Sequence, residues 1–192
     1  DLLTKAIANE TQKATKLKYY KLGADMYEKA GMYADALKWY GDYSALRGAK
    51  DEVYFYKTAS LAINAKDGVT AAAVAKEYIA AFPEKPNGYN FNNKAAKILD
   101  STHALGLQFE AAKLQNEFFS KDPSKYKQGF VSNYYTMMGY YNENKDFENA
   151  IAMCDKVLEI IPAEPQTVQI KEGLLKNWEI YKKMKAKEPA KN

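Results

Sequence analysis

Residues 134–162 read YYTMMGYYNENKDFENAIAMCDKVLEIIP, and this stretch decides the fold of the chain. Its first part carries apolar side chains three or four residues apart, which is the spacing of one helix face. The polar residues 143–146 interrupt the pattern, and a second helical face runs from Phe147 to Leu158. Asp146 is placed to cap this second helix with its carboxylate, and Pro162 ends it because proline cannot donate a backbone hydrogen bond. The stretch therefore predicts a hairpin of two short amphipathic helices.

The same pattern recurs along the chain, as it must if one hairpin cannot bury both of its apolar faces alone. A small alanine lies near the start of four second helices, at separations of 35, 40 and 39 residues. It allows two helices to approach closely, while a large apolar residue seven positions later fills the space between hairpins. A glycine or proline twelve positions after each alanine ends the helix. The alanines are Ala36, Ala71, Ala111 and Ala150, the large residues are Tyr43, Tyr78, Phe118 and Val157, and the helix ends are Gly48, Pro83, Pro123 and Pro162.

These units resemble the tetratricopeptide repeat (TPR) family. Its pattern is W-x2-L-G-x2-Y, then A-x3-F, then P, at a period of about 34 residues. The units at 20–48 and 55–83 keep this register, the unit at about 92–123 is less regular, and no unit has the family's tryptophan. The unit in the quoted stretch has the family spacing throughout, at Tyr134, Met137, Met138, Tyr141, Ala150, Cys154 and Pro162.

The resemblance implies an all-α fold, a right-handed superhelical α-solenoid that forms a single TPR-like domain over residues 1–192. A C-terminal helix with one narrow apolar stripe should cap the solenoid, because an end unit needs a polar outer face. The segment 83–93, PEKPNGYNFNN, should be a loop, since it contains two prolines and an Asn-Gly pair. The expected parts are a helical extension at 1–16, repeats at 17–48, 51–83, 92–123 and 131–162, the capping helix at 166–186 and a tail at 187–192.

Charge argues against a nucleic-acid partner. Residues 171–192 hold seven lysines against three glutamates, an excess equal to the +4 of the whole chain. The first 170 residues are therefore neutral overall, whereas a helical-repeat RNA binder needs basic repeats. No run of about 18 apolar residues predicts a membrane span. We expect a soluble protein, either cytoplasmic or exported after removal of a leader, since the chain begins at Asp1 rather than at Met.

No motif in the sequence points to catalysis. His103 is the only histidine, and the only cysteine, Cys154, lies on an apolar helix face where a buried core residue is expected. The sequence has no Gly-x-Gly and no Gly-Lys followed by Ser or Thr, so neither phosphate-binding loop is present. We therefore predict a protein that is not an enzyme, with no catalytic residues, no bound metal and no cofactor.

The TPR resemblance implies that the first helices of the hairpins line a concave groove for an extended peptide or a partner helix. Polar and aromatic residues beside the apolar stripe are then the candidates for partner binding. One TPR subgroup holds a C-terminal carboxylate with lysine and asparagines, but Asp25 replaces an asparagine here and would repel that carboxylate. The candidates are Lys18, Lys21, Asp25, Tyr56, Lys57, Ser60, Asn64, Lys97, Asp100, Tyr135 and Asn142, with Asn93 and His103 in the same register of the third hairpin.

The predicted function is a scaffold or adaptor for protein–protein interaction, with a protein or peptide partner. Two alternatives stay open at this point: a helical-repeat RNA binder, and a small-molecule or carbohydrate-binding repeat protein with a site built from Tyr56 and Tyr135. The segment 83–93 is either a further contact to the partner or a tolerated surface insertion.

Overall fold

A computed structural model of the chain describes residues 2–186. Over that range it contains ten α-helices and no strand, which confirms the predicted all-α class. The helices are α1 Leu2–Asn9, α2 Lys13–Lys29, α3 Tyr33–Arg47, α4 Glu52–Asn64, α5 Gly68–Ala81, α6 Pro86–Leu99, α7 Leu107–Phe119, α8 Lys127–Glu143, α9 Phe147–Ile160 and α10 Pro165–Lys185.

The helices group into two compact units, which divide between Ser101 and Thr102. Unit 1 holds α1 to α6, and unit 2 holds α7 to α10. Within each unit, helices that are consecutive in the chain pack against each other, as in a stack of helical hairpins. In unit 1, α4 also packs against α6, so the first helices of two successive hairpins are neighbours. The single domain expected over residues 1–192 stays a prediction.

Aspartates cap the starts of three helices, and they do so through their own carboxylates. Asp51 accepts a hydrogen bond from the backbone N–H of Tyr54 at 2.9 Å, and Asp67 accepts one from Thr70 at 3.0 Å. Asp146 accepts from the N–H of Asn149 at 3.2 Å, which confirms the cap predicted from the sequence. Each cap satisfies a backbone donor that the first turn of a helix leaves without a partner.

The repeat alanines are buried in the core between the helices. Ala36, Ala71 and Ala150 have no solvent exposure, and Ala111 is also buried. The large residues that follow them include Tyr78 and Val157, which are completely enclosed. Burial therefore confirms the register predicted from Ala36, Ala71 and Ala150, while in the third repeat Ala112 is buried as well as Ala111.

The loop predicted at 83–93 is wrong for most of its length, because α6 begins at Pro86. Proline is well tolerated at the first position of a helix, where its missing N–H would have no intrahelical partner. Gly88 belongs to this helix for a packing reason, since it faces Ile79 of α5 across a gap too small for a Cβ atom. The third hairpin consequently starts at 86 rather than near 92.

The two ends of the described chain differ in construction. The expected N-terminal extension is a separate short helix, α1, followed by α2 from Lys13 onward. At the other end, Leu174 of α10 is buried in a cluster with Met138, Phe147 and Cys154, which confirms the stripe predicted for the capping helix. The tail predicted at 187–192 lies outside the described residues.

Candidate partner-binding face

The outward sides of α2, α4 and α6 in unit 1 carry most of the residues predicted to bind a partner. We call this surface the first-helix face. Its residues recur at helical spacing within each helix, and all of them are exposed or partly exposed. They are Lys18, Lys21, Asp25 and Glu28 from α2, Tyr56, Lys57, Ser60 and Asn64 from α4, and Asn90, Asn93, Lys94 and Lys97 from α6.

One ion pair joins the α2 and α4 parts of the face, and a second lies within α2. Lys57 donates a hydrogen bond to the carboxylate of Glu28, which links one hairpin to the next. On α2 itself, Lys21 donates to Asp25 at 2.6 Å, and this hydrogen bond raises the pKa of Lys21 above its usual value. Both carboxylates of the face are thus already paired with lysines.

An aromatic pair joins the α4 and α6 parts. The ring of Tyr56 meets the ring of Phe91 edge to face, with 5.4 Å between centroids and a 73° angle between planes. Phe91 is buried, whereas Tyr56 is 50% exposed and so presents an apolar surface to solvent. The Nζ atom of Lys94 lies 5.8 Å from the centre of the Phe91 ring. The pair anchors Tyr56 while leaving half of its surface available for contact.

The α6 part of the face is positively charged. Lys94 and Lys97 are both exposed, and within residues 2–186 neither forms an ion pair. The helix itself contains no Asp or Glu. Across the whole face, five lysines stand against two carboxylates; of the three lysines in excess, two lie on α6 and the third, Lys18, lies on α2.

Asp100 does not lie on this face, although the sequence placed it there. It follows the last residue of α6, its backbone N–H donates to the carbonyl of Ala96 at 2.9 Å, and only 2% of the residue is exposed. The helix ends at Leu99, before the positions of Asp100 and His103 that the groove register assigned to it, and the Asp100 side chain is buried. Lys18, Lys21, Asp25, Tyr56, Lys57, Ser60, Asn64 and Lys97 lie on the face, and their binding to a partner stays a prediction.

The two candidates in unit 2 have different surroundings. Tyr135 packs its ring against the cluster around Met138 and Leu174, and burial raises the pKa of its hydroxyl. That hydroxyl donates to Glu164 at 3.0 Å and lies 2.6 Å from the Thr167 hydroxyl, within hydrogen-bond distance. The expectation that Tyr135 lies away from the packing stripe is therefore wrong. Asn142 is exposed near the end of α8.

Sequence reasoning missed three residues of the face: Glu28, Asn90 and Lys94. Asn90 lies in the segment 83–93 that the sequence predicts as a loop, and a third hairpin that starts near 92 leaves Asn90 out of its helical spacing to Lys94 and Lys97. A helix that begins at Pro86 places Asn90, Lys94 and Lys97 on the same side of α6. No local signal links Glu28 to Lys57, because that contact joins residues far apart in sequence.

Among residues 2–186, no three or more His, Cys, Asp or Glu side chains are grouped so that they could hold a metal ion. Over the same residues, no helix is both long and apolar enough to cross a membrane.

Comparison with known proteins identifies the fold. No protein-family model matches this sequence, and no curated protein matches it. Among solved structures, the chain is similar to the C-terminal part of a TPR repeat-containing protein from Cytophaga hutchinsonii, with a TM-score of 0.68 and 19% sequence identity. The similarity covers 87% of this chain and 63% of that one, so it spans less than two thirds of the solved structure. It confirms the TPR-like fold predicted from the sequence.

Proposed function

We propose that this chain, a stack of TPR-like helical hairpins, is a non-catalytic scaffold or adaptor that binds a segment of another protein on the first-helix face. The observation that supports this most directly is the half-exposed Tyr56, fixed against Phe91 and surrounded by polar side chains of α4 and α6. A rigid tyrosine offers a large contact area at a low entropic cost, because only two side-chain angles need to be ordered.

The face is also held in shape before any partner arrives. The Lys57–Glu28 ion pair ties α4 to α2, and the Tyr56–Phe91 contact ties α4 to α6. A surface built on packed helices loses little conformational freedom on binding, so more of the contact energy appears as affinity. Ser60 and Asn64 follow Tyr56 at four-residue intervals along α4. Their hydroxyl and amide groups can both donate and accept, as the backbone of a bound segment requires.

The structure argues against a carbohydrate site, one of the alternatives raised by the sequence. A carbohydrate site built from Tyr56 and Tyr135 needs both hydroxyls for the sugar, but that of Tyr135 is already engaged by Glu164 and Thr167. The remaining alternative is RNA binding.

Site-specific photo-crosslinking in native extract tests the proposal. A photoreactive amino acid at Asn64 lies on the first-helix face, whereas the same residue at Ala73 lies on the exposed side of the second helix α5. We expect a crosslinked protein from position 64 that is absent from position 73, and mass spectrometry would identify it. Equal crosslinking at both positions would contradict binding at this face.

Once a partner is identified, titration calorimetry tests the role of Tyr56. Tyr56→Ala removes the exposed ring and should weaken binding by about tenfold or more, in the range of a moderate interface hot spot. Val69→Ala is the matched control, since Val69 is 71% exposed at the start of α5 and does not belong to the face. Circular dichroism on both variants must show the unchanged helical signal. If Tyr56→Ala binds the partner as tightly as the wild type, Tyr56 is not part of the binding site.

A further inference from the structure

We propose that the segment bound at the first-helix face is acidic, and that its side-chain carboxylates bind Lys94 and Lys97 of α6. This inference rests on the proposed function, because it assumes that the face receives a protein segment. It adds the chemical class of that segment and the two residues that select it.

The charge distribution of the face is the first support. Its two carboxylates, Asp25 and Glu28, are each occupied by a lysine of the same face. In the described part of the chain neither Lys94 nor Lys97 of α6 pairs with a carboxylate, and the one other face lysine without such a pair, Lys18, stands alone on α2. Complementary charge across an interface favours partners of the opposite sign and suppresses those of the same sign. The unpaired cations on α6 therefore select for acidic side chains.

The spacing of Lys94 and Lys97 also indicates the conformation of the bound segment and the spacing of its acidic residues. Residues three apart on a helix have Cβ atoms about 5–6 Å apart. In an extended peptide, alternate residues point to the same side and lie about 7 Å apart. The lysine side chains are long and flexible enough to span the difference of about 1–2 Å between these two separations. An extended segment with acidic residues at alternate positions therefore matches the separation of Lys94 and Lys97.

Apolar surface lies next to the charged pair. Phe91 is one turn before Lys94 on α6, and the exposed ring of Tyr56 lies against it. A segment that places its carboxylates at Lys94 and Lys97 can therefore lay a neighbouring apolar side chain on Tyr56. The expected recognition element is an apolar residue followed by alternating acidic residues, in extended conformation.

Nucleic acid is the competing polyanion, and the structure favours it less. A nucleic-acid binder distributes cations along a continuous stripe to follow the phosphate backbone. Here Lys21 and Lys57, two of the three face lysines on α2 and α4, are paired with acidic neighbours, and Lys18 alone interrupts that neutral part of the face. The two unpaired lysines of α6 are one helical turn apart, a separation that suits a short acidic motif better than a long phosphate backbone.

Fluorescence anisotropy with the full chain tests the inference. The probe is a fluorescein-labelled peptide with glutamate at alternate positions after a single phenylalanine. A second peptide has glutamine in place of every glutamate, and a third probe is a single-stranded polyuridine of equal length. The protein variants are K94Q/K97Q and its matched control K176Q/K183Q, which removes the same charge from exposed lysines of α10. Circular dichroism checks that both variants are folded.

We expect the wild-type protein to bind the glutamate peptide, with an affinity that falls as salt concentration rises. K94Q/K97Q should weaken this binding by about tenfold, which is the effect of losing two exposed ion pairs together. The control variant should bind like wild type, and the glutamine peptide should bind about tenfold more weakly than the glutamate peptide.

Three results would overturn the inference. If wild type binds both peptides equally and K94Q/K97Q weakens neither, the face does not select acidic segments; the proposed function is unaffected, because crosslinking at position 64 and the Tyr56→Ala variant test it separately. If the glutamate peptide does not bind wild type, the acidic specificity is wrong, while crosslinking at position 64 still tests the proposed function separately. If polyuridine binds more tightly than the glutamate peptide and K94Q/K97Q abolishes this, the surface is a nucleic-acid site.

Discussion

Gly88 of α6 lies so close to Ile79 of α5 that a Cβ atom on the glycine would be 2.9 Å from the Ile79 Cγ1 and 3.0 Å from its backbone nitrogen. We predict that Gly88→Ala lowers the free energy of unfolding by about 1–3 kcal/mol, because the backbone of α5 has to shift to admit the methyl group. Helix propensity alone predicts the opposite sign, since alanine is the better helix former.

Gly41 provides the control for this prediction. It lies inside α3 in the same unit, and a Cβ there would meet nothing within 4 Å. Gly41→Ala should therefore stabilise the protein by up to about 1 kcal/mol. Urea unfolding of both variants measures the difference, and a stabilising effect of Gly88→Ala would show that α5 and α6 are not in close contact.

Tyr135 links α8 to the start of α10. Tyr135→Phe keeps the ring in the cluster around Met138 but removes the hydroxyl from Glu164 and Thr167. We expect a loss of about 1 kcal/mol, the typical net contribution of a hydrogen bond. Tyr135→Ala should cost about 3–5 kcal/mol, because it also leaves a cavity where the ring was packed. If denaturant unfolding gives equal stabilities for the two variants, the ring does not pack as described.

Glu164 should make unit 2 sensitive to acid. The hydrogen bond from the Thr167 hydroxyl, together with that from its backbone N–H, lowers the pKa of the Glu164 carboxyl. A carboxyl with a lowered folded-state pKa contributes stability above its unfolded-state value, about 4.3, and this contribution disappears as pH falls through the folded-state value. Glu164→Gln should therefore reduce the decline in melting temperature below about pH 4.5. If the melting temperature of Glu164→Gln falls with pH as steeply as that of the wild type, the acid sensitivity comes from other groups.

Cys154 should be chemically silent in the native protein. Its side chain has no exposure, and burial raises its pKa to about 11. The thiolate is the reactive form, and at pH 8 a thiol with this pKa is almost entirely protonated. We expect no rapid reaction with a disulfide reagent at pH 8 in native buffer and full reaction in guanidinium chloride. Rapid native labelling would show that unit 2 opens locally.

Removal of α10 should expose the apolar end of unit 2. Leu174, Trp178 and Tyr181 cover the cluster formed by Met138, Phe147 and Cys154. Deletion of residues 166–192 should therefore cause aggregation or the loss of a cooperative unfolding transition. Deletion of residues 187–192 is the control and should leave stability unchanged. Size-exclusion chromatography and thermal unfolding report the two effects, and a stable monomer without α10 would reject its capping role.

Local signals explain why much of the fold was predictable. The alanine register, the Asp146 cap and the stripe from Ile170 to Tyr181 each depend on residues within one or two helices. Side-chain spacing along a helix and the needs of its free N–H groups act over a few residues, so they can be read from sequence. The outward positions of Tyr56, Ser60 and Asn64 followed from the same spacing.

Contacts between distant residues decided the rest. Pro86 and Asn87-Gly88 read locally as a loop, but the close approach of α6 to Ile79 requires a glycine inside a helix. The burial of Asp100 and the engagement of the Tyr135 hydroxyl depend on which helices become neighbours, and the pairing of Glu28 with Lys57 does so as well. The sequence by itself determined the helical repeats, because periodicity is a property of each segment. Only the tertiary structure decided which lysines of the face stay unpaired, because charge partners are selected by packing between segments.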